Sequence, residues 1–130
     1  MSAVPPLVMQ LIVDRALIKE HGWTIGPMMA QAAHATAAVL AQTWDREDTQ
    51  AYISPTQLAS MHKIVLQTPK NVPLDRLAAQ LAEASATDAL PPHYLWVEQP
   101  ENLPTCLAIA PNRKPEALTR ILKKCTLLRD

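Results

Sequence analysis

Residues 24–44, TIGPMMAQAAHATAAVLAQTW, decide how the rest of the chain is read. Gly26-Pro27 opens a helix, because proline fits a first helical position whose N–H has no intrahelical partner. From Met28 to Gln42 no further Gly or Pro occurs and Ala dominates, the strongest helix former. At about 1.5 Å per residue the segment from Pro27 to Gln42 spans roughly 24 Å. Ala30, Ala32, Ala33, Ala35, Ala37, Ala38 and Ala41 keep nearly every side of it small. That predicts a helix buried over most of its surface and closely approached by a sheet.

Working outward, Leu7–Val13 (LVMQLIV) reads as a buried strand that precedes the helix across a packed connection, Asp14–Trp23. After the helix, Asp45 is a candidate N-cap for a short helix reaching Tyr52, and Ser54-Pro55 begins another. Met61–Thr68 is a second strand, ended by Pro69. Asn71–Ala86 is an amphipathic helix with Leu74, Leu77, Ala78 and Leu81 on its buried stripe. HYLWVE (93–98) is a third strand with Tyr94, Trp96 and Glu98 on one face. TCLAIA (105–110) is a fourth, with Thr105, Leu107 and Ile109 on one face and Cys106, Ala108 and Ala110 on the other. Pro115–Lys124 is the last helix. Strands separated by long helices pair in parallel, whereas strands three and four are separated by a short QPENLP loop and form an antiparallel hairpin. The fold class is therefore α/β: a three-layer α/β/α single domain, residues 1–130, around a four-stranded mixed sheet.

Composition excludes several function classes. At 48% hydrophobic and 18% charged residues the chain is an ordinary globular protein, and its zero net charge gives no global field for a polyanion. A local excess exists from Arg113 onward, where six basic residues oppose Glu116 and Asp130. No run is long and apolar enough to span a bilayer, and no leader pattern is present, so a cytoplasmic protein without a membrane partner is expected. Cys106 and Cys125 lack metal or redox spacing and read as reduced thiols. His21, His34, His62 and His93 form no metal-ligand pattern.

Two places can carry chemistry. Gln31 and His34 share one helix face with Pro27 one turn earlier, beside a helix start able to attract an anion; equally, they are satisfied residues at the core edge. Glu98 and Thr105 face each other across the base of the last hairpin, where a carboxylate and a hydroxyl can activate water and hold an ester oxygen. Otherwise Glu98 caps the turn and Thr105 satisfies loop backbone.

LIVDRAL, AQAAHATAAV, HKIVLQTP and LWVEQPENLPTCLAIAP, followed by the terminal ILKKCTLL, together resemble the type-2 peptidyl-tRNA hydrolases, in particular their divergent branch of peptidyl-tRNA hydrolase domain-containing proteins. The resemblance runs from Leu7 to Leu128. It implies a compact α/β fold and cofactor-free cleavage of the ester between a peptide and the terminal ribose of tRNA. By this likeness Gln31 and His34 match the motif glutamine and histidine, Glu98 falls at an aspartate, and Thr105 matches a threonine. Glu98 would then be the general base, with Gln31 and Thr105 positioning water or the oxyanion and His34 supporting them. Gly26 and Met28 at the helix start, with Lys123 and Lys124, would hold substrate phosphates. The partners implied are tRNA or peptidyl-tRNA, with a homodimer left open. The family's lysine at the helix start is Pro27 here, its arginine and aspartate after strand one fall on Asp14 and Ala16, and the hairpin loop is shortened. A non-catalytic tRNA- or protein-binding module on the same fold is the alternative.

Overall fold

The computed structural model describes residues 4–129; Asp130, counted above among the terminal charges, lies outside them. Among the described residues five strands form one mixed sheet: β1 (Met9–Val13), β2 (Lys63–Gln67), β3 (His93–Glu98), β4 (Leu103–Ile109) and β5 (Thr126–Leu127), in the order β3-β4-β1-β2-β5. β1 and β2 are parallel, and the β1–β4, β3–β4 and β2–β5 pairs are antiparallel. The helices are α1 (Arg15–Lys19), α2 (Ile25–Gln42), α3 (Glu47–Tyr52), α4 (Leu74–Ala84) and α5 (Glu116–Ile121).

Two apolar cores make the layers. On one face of the sheet, Met9, Leu11, Val13, Cys106, Ala108 and Ala110 meet Leu17 of α1 and Met28, Ala35 and Val39 of α2. Cys106, Ala108 and Ala110 are small, so α2 lies close over β4 and β3. On the other face Ile12, Leu107 and Ile109 meet Leu74, Leu77 and Leu81 of α4 and Leu118 of α5. The period-two alternation of β1 and β4 thus feeds both cores.

The structure corrects the sequence reading at several points. The sheet has a fifth strand, a two-residue β5 added to the edge of β2. The segment after β1 is not an irregular connection but carries α1, capped by Asp14, whose Oδ1 accepts from Ala16 N at 2.9 Å. Helix α4 starts at Leu74 rather than Asn71, because Asn71 sits at φ 65° and Pro73 is the N-cap. The segment begun by Ser54-Pro55 is turns and a short 3₁₀ stretch, Leu58–Ser60. Strand β4 starts at Leu103, so the hairpin turn shortens to Gln99–Asn102, with Asn102 at φ 54°, a conformation asparagine tolerates.

The largest correction concerns Glu98 and Thr105, which are not cross-strand partners. Glu98 pairs with Leu103, and the register slips between Trp96↔Cys106 and Val97↔Pro104, leaving Thr105 unpaired as a β-bulge. The extra residue breaks the alternation. Thr105 therefore turns to the α2 side with Cys106 instead of joining Leu107 and Ile109 on the opposite face.

Asp14 also joins the two helical layers. Its second carboxylate oxygen accepts from Leu74 N at 3.3 Å, so one side chain caps α1 and α4 together. Asp14→Ala removes both caps and lowers unfolding free energy by about 1 to 3 kcal/mol, read as a lower urea midpoint at unchanged m-value. An unchanged midpoint means that the two caps carry no stability.

Candidate functional site

At the neck of the β3–β4 hairpin the bulge brings three polar side chains into one chain of hydrogen bonds. The Thr105 hydroxyl donates to Gln31 Oε1 at 2.8 Å, and Gln31 Nε2 donates to Glu98 Oε2 at 2.8 Å. Trp96, two residues before Glu98 and on the same strand face, donates its indole N–H to Glu98 Oε1 at 3.3 Å. Gln31 is 3% exposed and Thr105 0%, so the amide between them has its orientation fixed by a buried donor. Both oxygens of the carboxylate are held, while Glu98 itself stays partly exposed. His34, one helical turn beyond Gln31, is exposed and stacks on Trp96 with ring centroids 4.7 Å apart.

These contacts hold Glu98 below the usual carboxylate range. The Gln31 amide is the largest cause and the Trp96 indole the next, with smaller help from the His34 charge and the Gln99 backbone. Glu98 is therefore an ionised acceptor at neutral pH with a fixed orientation, open to solvent. A water or a substrate hydroxyl group can be received there as a hydrogen-bond donor. Cys106, the residue after Thr105, cannot compete as a nucleophile, since burial pushes its thiol up to about 12. Among the described residues no group of three His, Cys, Asp or Glu could hold a metal.

The remaining candidates from sequence separate from this cluster. Gly26 is exposed in the first turn of α2, next to exposed Pro27. Met28 is 6% exposed, packs in the core under α2, and spends its N–H on Thr24 O at 3.2 Å, so that N–H is not free to hold a phosphate. The 3.6-residue period explains this, because Met28, Gln31, Ala35 and Val39 form the inward stripe. Lys123 and Lys124 are exposed, but they link α5 to β5 at the sheet edge opposite β3. They are not part of the surface around Glu98. Sequence reasoning places Trp96 on the Glu98 face of the strand but gives it no part at the carboxylate, although the two-residue spacing was the available signal.

Residues 7–128 match the family described as "Peptidyl-tRNA hydrolase PTH2". A human protein named "Putative peptidyl-tRNA hydrolase PTRHD1" is 36% identical over 130 residues, covering 98% of this chain and 87% of the human one. Its mouse counterpart of the same name is 35% identical over 127 residues, covering 96% and 85%. With nearly its whole length in the match, from the first strand through the last, the chain belongs to the PTH2 family of peptidyl-tRNA hydrolases.

Proposed function

We propose that this protein hydrolyses the ester joining a peptide to the 3′ ribose of tRNA, with Glu98 as general base. The observation that carries the proposal is the linked set Thr105–Gln31–Glu98–Trp96, which fixes both carboxylate oxygens while leaving the group open to solvent. A water donating to Glu98 loses its proton as it attacks the ester carbonyl. The carbonyl oxygen gains the charge, the tetrahedral intermediate collapses, and the ribose hydroxyl leaves with a proton returned through Glu98. Gln31 positions the base, and Thr105 positions Gln31. His34 acts through its stack on Trp96. Gly26, in the exposed first turn of α2, is the helix-start residue available to a substrate phosphate.

The purified protein should therefore release tRNA from an N-blocked aminoacyl-tRNA, faster than the uncatalysed ester decays. Its kcat/KM should fall on the acid side along a limb centred below the ordinary carboxylate pKa, as Glu98 becomes protonated. The sign follows from the base acting in its ionised form, which the Gln31 and Trp96 donors favour. A decline centred above the ordinary carboxylate range removes Glu98 as the base.

Pro27 favours a second reading. Pro27, exposed in the first turn of α2, has neither charge nor donor where the family resemblance expects a lysine. On this reading the fold binds tRNA without cleaving it. Salt-dependent tRNA binding with the ester left intact at high protein concentration supports it. Pro27→Lys should then confer hydrolysis on an otherwise inactive protein.

A further inference from the structure

A second feature lies at the same end of the sheet. β1 and β2 are parallel neighbours, yet the chain leaves β1 into α1 and α2 on one face and leaves β2 into α4 on the other. Where adjacent parallel strands send their connections to opposite faces, a crevice opens beyond their carboxyl ends, the usual ligand position in open α/β sheets. Here it is a cleft of about 490 Å³. We propose that this cleft is a phosphate subsite, in which Arg15, Lys19 and Lys70 hold a backbone phosphate of an RNA. The proposal rests on the hydrolase reading, since the RNA is the one whose ester lies at Glu98.

The walls of the cleft are fixed. Thr68 N donates to Val13 O at 3.0 Å, and Arg15 N donates to Thr68 Oγ1 at 2.9 Å, stitching the two loops together. The Asp14 carboxylate faces the starts of α1 and α4 and is occupied by two N–H donors. Arg15, Lys19 and Lys70 therefore outnumber the two carboxylates, Asp14 and Glu20, of which Asp14 is turned to backbone donors, and none of the three cations forms an ion pair among the described residues. In a chain of zero net charge this is a local positive site rather than part of a general excess.

The chemistry selects phosphate over base. A guanidinium and two ammonium groups match phosphate oxygens, while no aromatic ring lines the cleft to stack a base. Contacts of this kind position a nucleic acid without reading its sequence.

The geometry links the cleft to Glu98. β4 is antiparallel to both β1 and β3, so β1 and β3 run the same way and Glu98 ends β3 at the end of the sheet where the cleft opens. Asp14 N donates to Thr105 O at 3.2 Å, which makes the cleft wall and the bulge neighbours. Two to three strand spacings of about 4.8 Å separate β3 from the cleft, roughly 10 to 14 Å. A short single-stranded acceptor end can bridge that distance.

The test compares the wild-type chain with Arg15→Gln/Lys70→Gln and, as a control at the far edge, Lys123→Gln/Lys124→Gln. Deacylated tRNA and inorganic phosphate are titrated separately across a salt series, and KM and kcat are measured on blocked aminoacyl-tRNA. For the cleft variant we expect tRNA affinity and KM to worsen about tenfold. Its log-affinity against log-salt slope should be shallower by about one, with kcat retained. The control keeps the wild-type slope. An unchanged slope and KM in a cleft variant whose wild type cleaves its substrate overturns the subsite and leaves the hydrolase reading standing. A wild type that neither binds nor cleaves charged tRNA overturns both; Arg15-dependent uptake of inorganic phosphate in that case would make the cleft a small-anion site unrelated to RNA.

Discussion

Glu98→Gln should reduce kcat by about 10²- to 10⁴-fold, the range for loss of a positioned general base, with little change in KM or thermal stability. The side chain keeps its length, so the comparison isolates charge and basicity. Its partly exposed position adds no buried cavity. The replacement amide can still accept from Gln31 through its oxygen. Its NH₂ group is then turned toward the Trp96 indole N–H, where two donors meet. Glu98→Asp keeps the carboxylate but withdraws it by one methylene from both donors. It should retain more activity than Glu98→Gln while losing the tight hold on its pKa. Rapid-quench single-turnover assays on a blocked aminoacyl-tRNA separate this chemical step from product release. Unaltered turnover in Glu98→Gln removes the carboxylate from the reaction and favours the tRNA-binding reading.

Residue pattern made most of the fold legible, and for identifiable reasons. Strands β1 to β4 and helices α2 and α4 are long enough for a period-two or 3.6-residue signal to accumulate. The small face of β4, read from Cys106, Ala108 and Ala110, does lie against α2. β5 escaped because two residues cannot display a period; Thr126 and Leu127 become a strand only by docking on the β2 edge. α1 is five residues long, and its one sequence cue is the Asp14 cap.

The site shows the same division. Gln31 and Glu98 could be paired from their places on a helix face and a strand end, but the position of Thr105 could not. Strict alternation sends Thr105 to the face occupied by α4, whereas the bulge sends it to Gln31. A bulge depends on cross-strand register, which a single strand's sequence does not encode. Met28 lies on the inward stripe of α2 with Gln31, Ala35 and Val39, a placement that follows from the helical period and not from its nearness to the helix start. Trp96 completes the carboxylate clamp, and it reaches Glu98 only because two residues along a strand return to the same face.

Gln31→Leu should lower kcat by about 10²-fold and destabilise the fold by about 1 to 3 kcal/mol, the cost of leaving one buried group unpaired. The two losses have separate causes. The amide is the largest influence holding the Glu98 carboxyl down. Its removal lets that group rise toward the ordinary carboxylate range, and the acid limb of kcat/KM moves to higher pH. The stability loss comes from Thr105, whose fully buried hydroxyl loses its acceptor. Adding Thr105→Val removes that orphan with a side chain of the same shape. The double variant Gln31→Leu/Thr105→Val should therefore recover most of the lost stability in urea unfolding, a non-additivity expected of residues in direct contact. Its turnover should stay low and its acid limb shifted, because Glu98 still lacks the amide. Recovery of activity together with stability would mean that Gln31 serves only the packing of α2 on the hairpin. Stability restored with turnover still depressed makes the amide a positioning group for the base, acting through the orientation of one carboxylate.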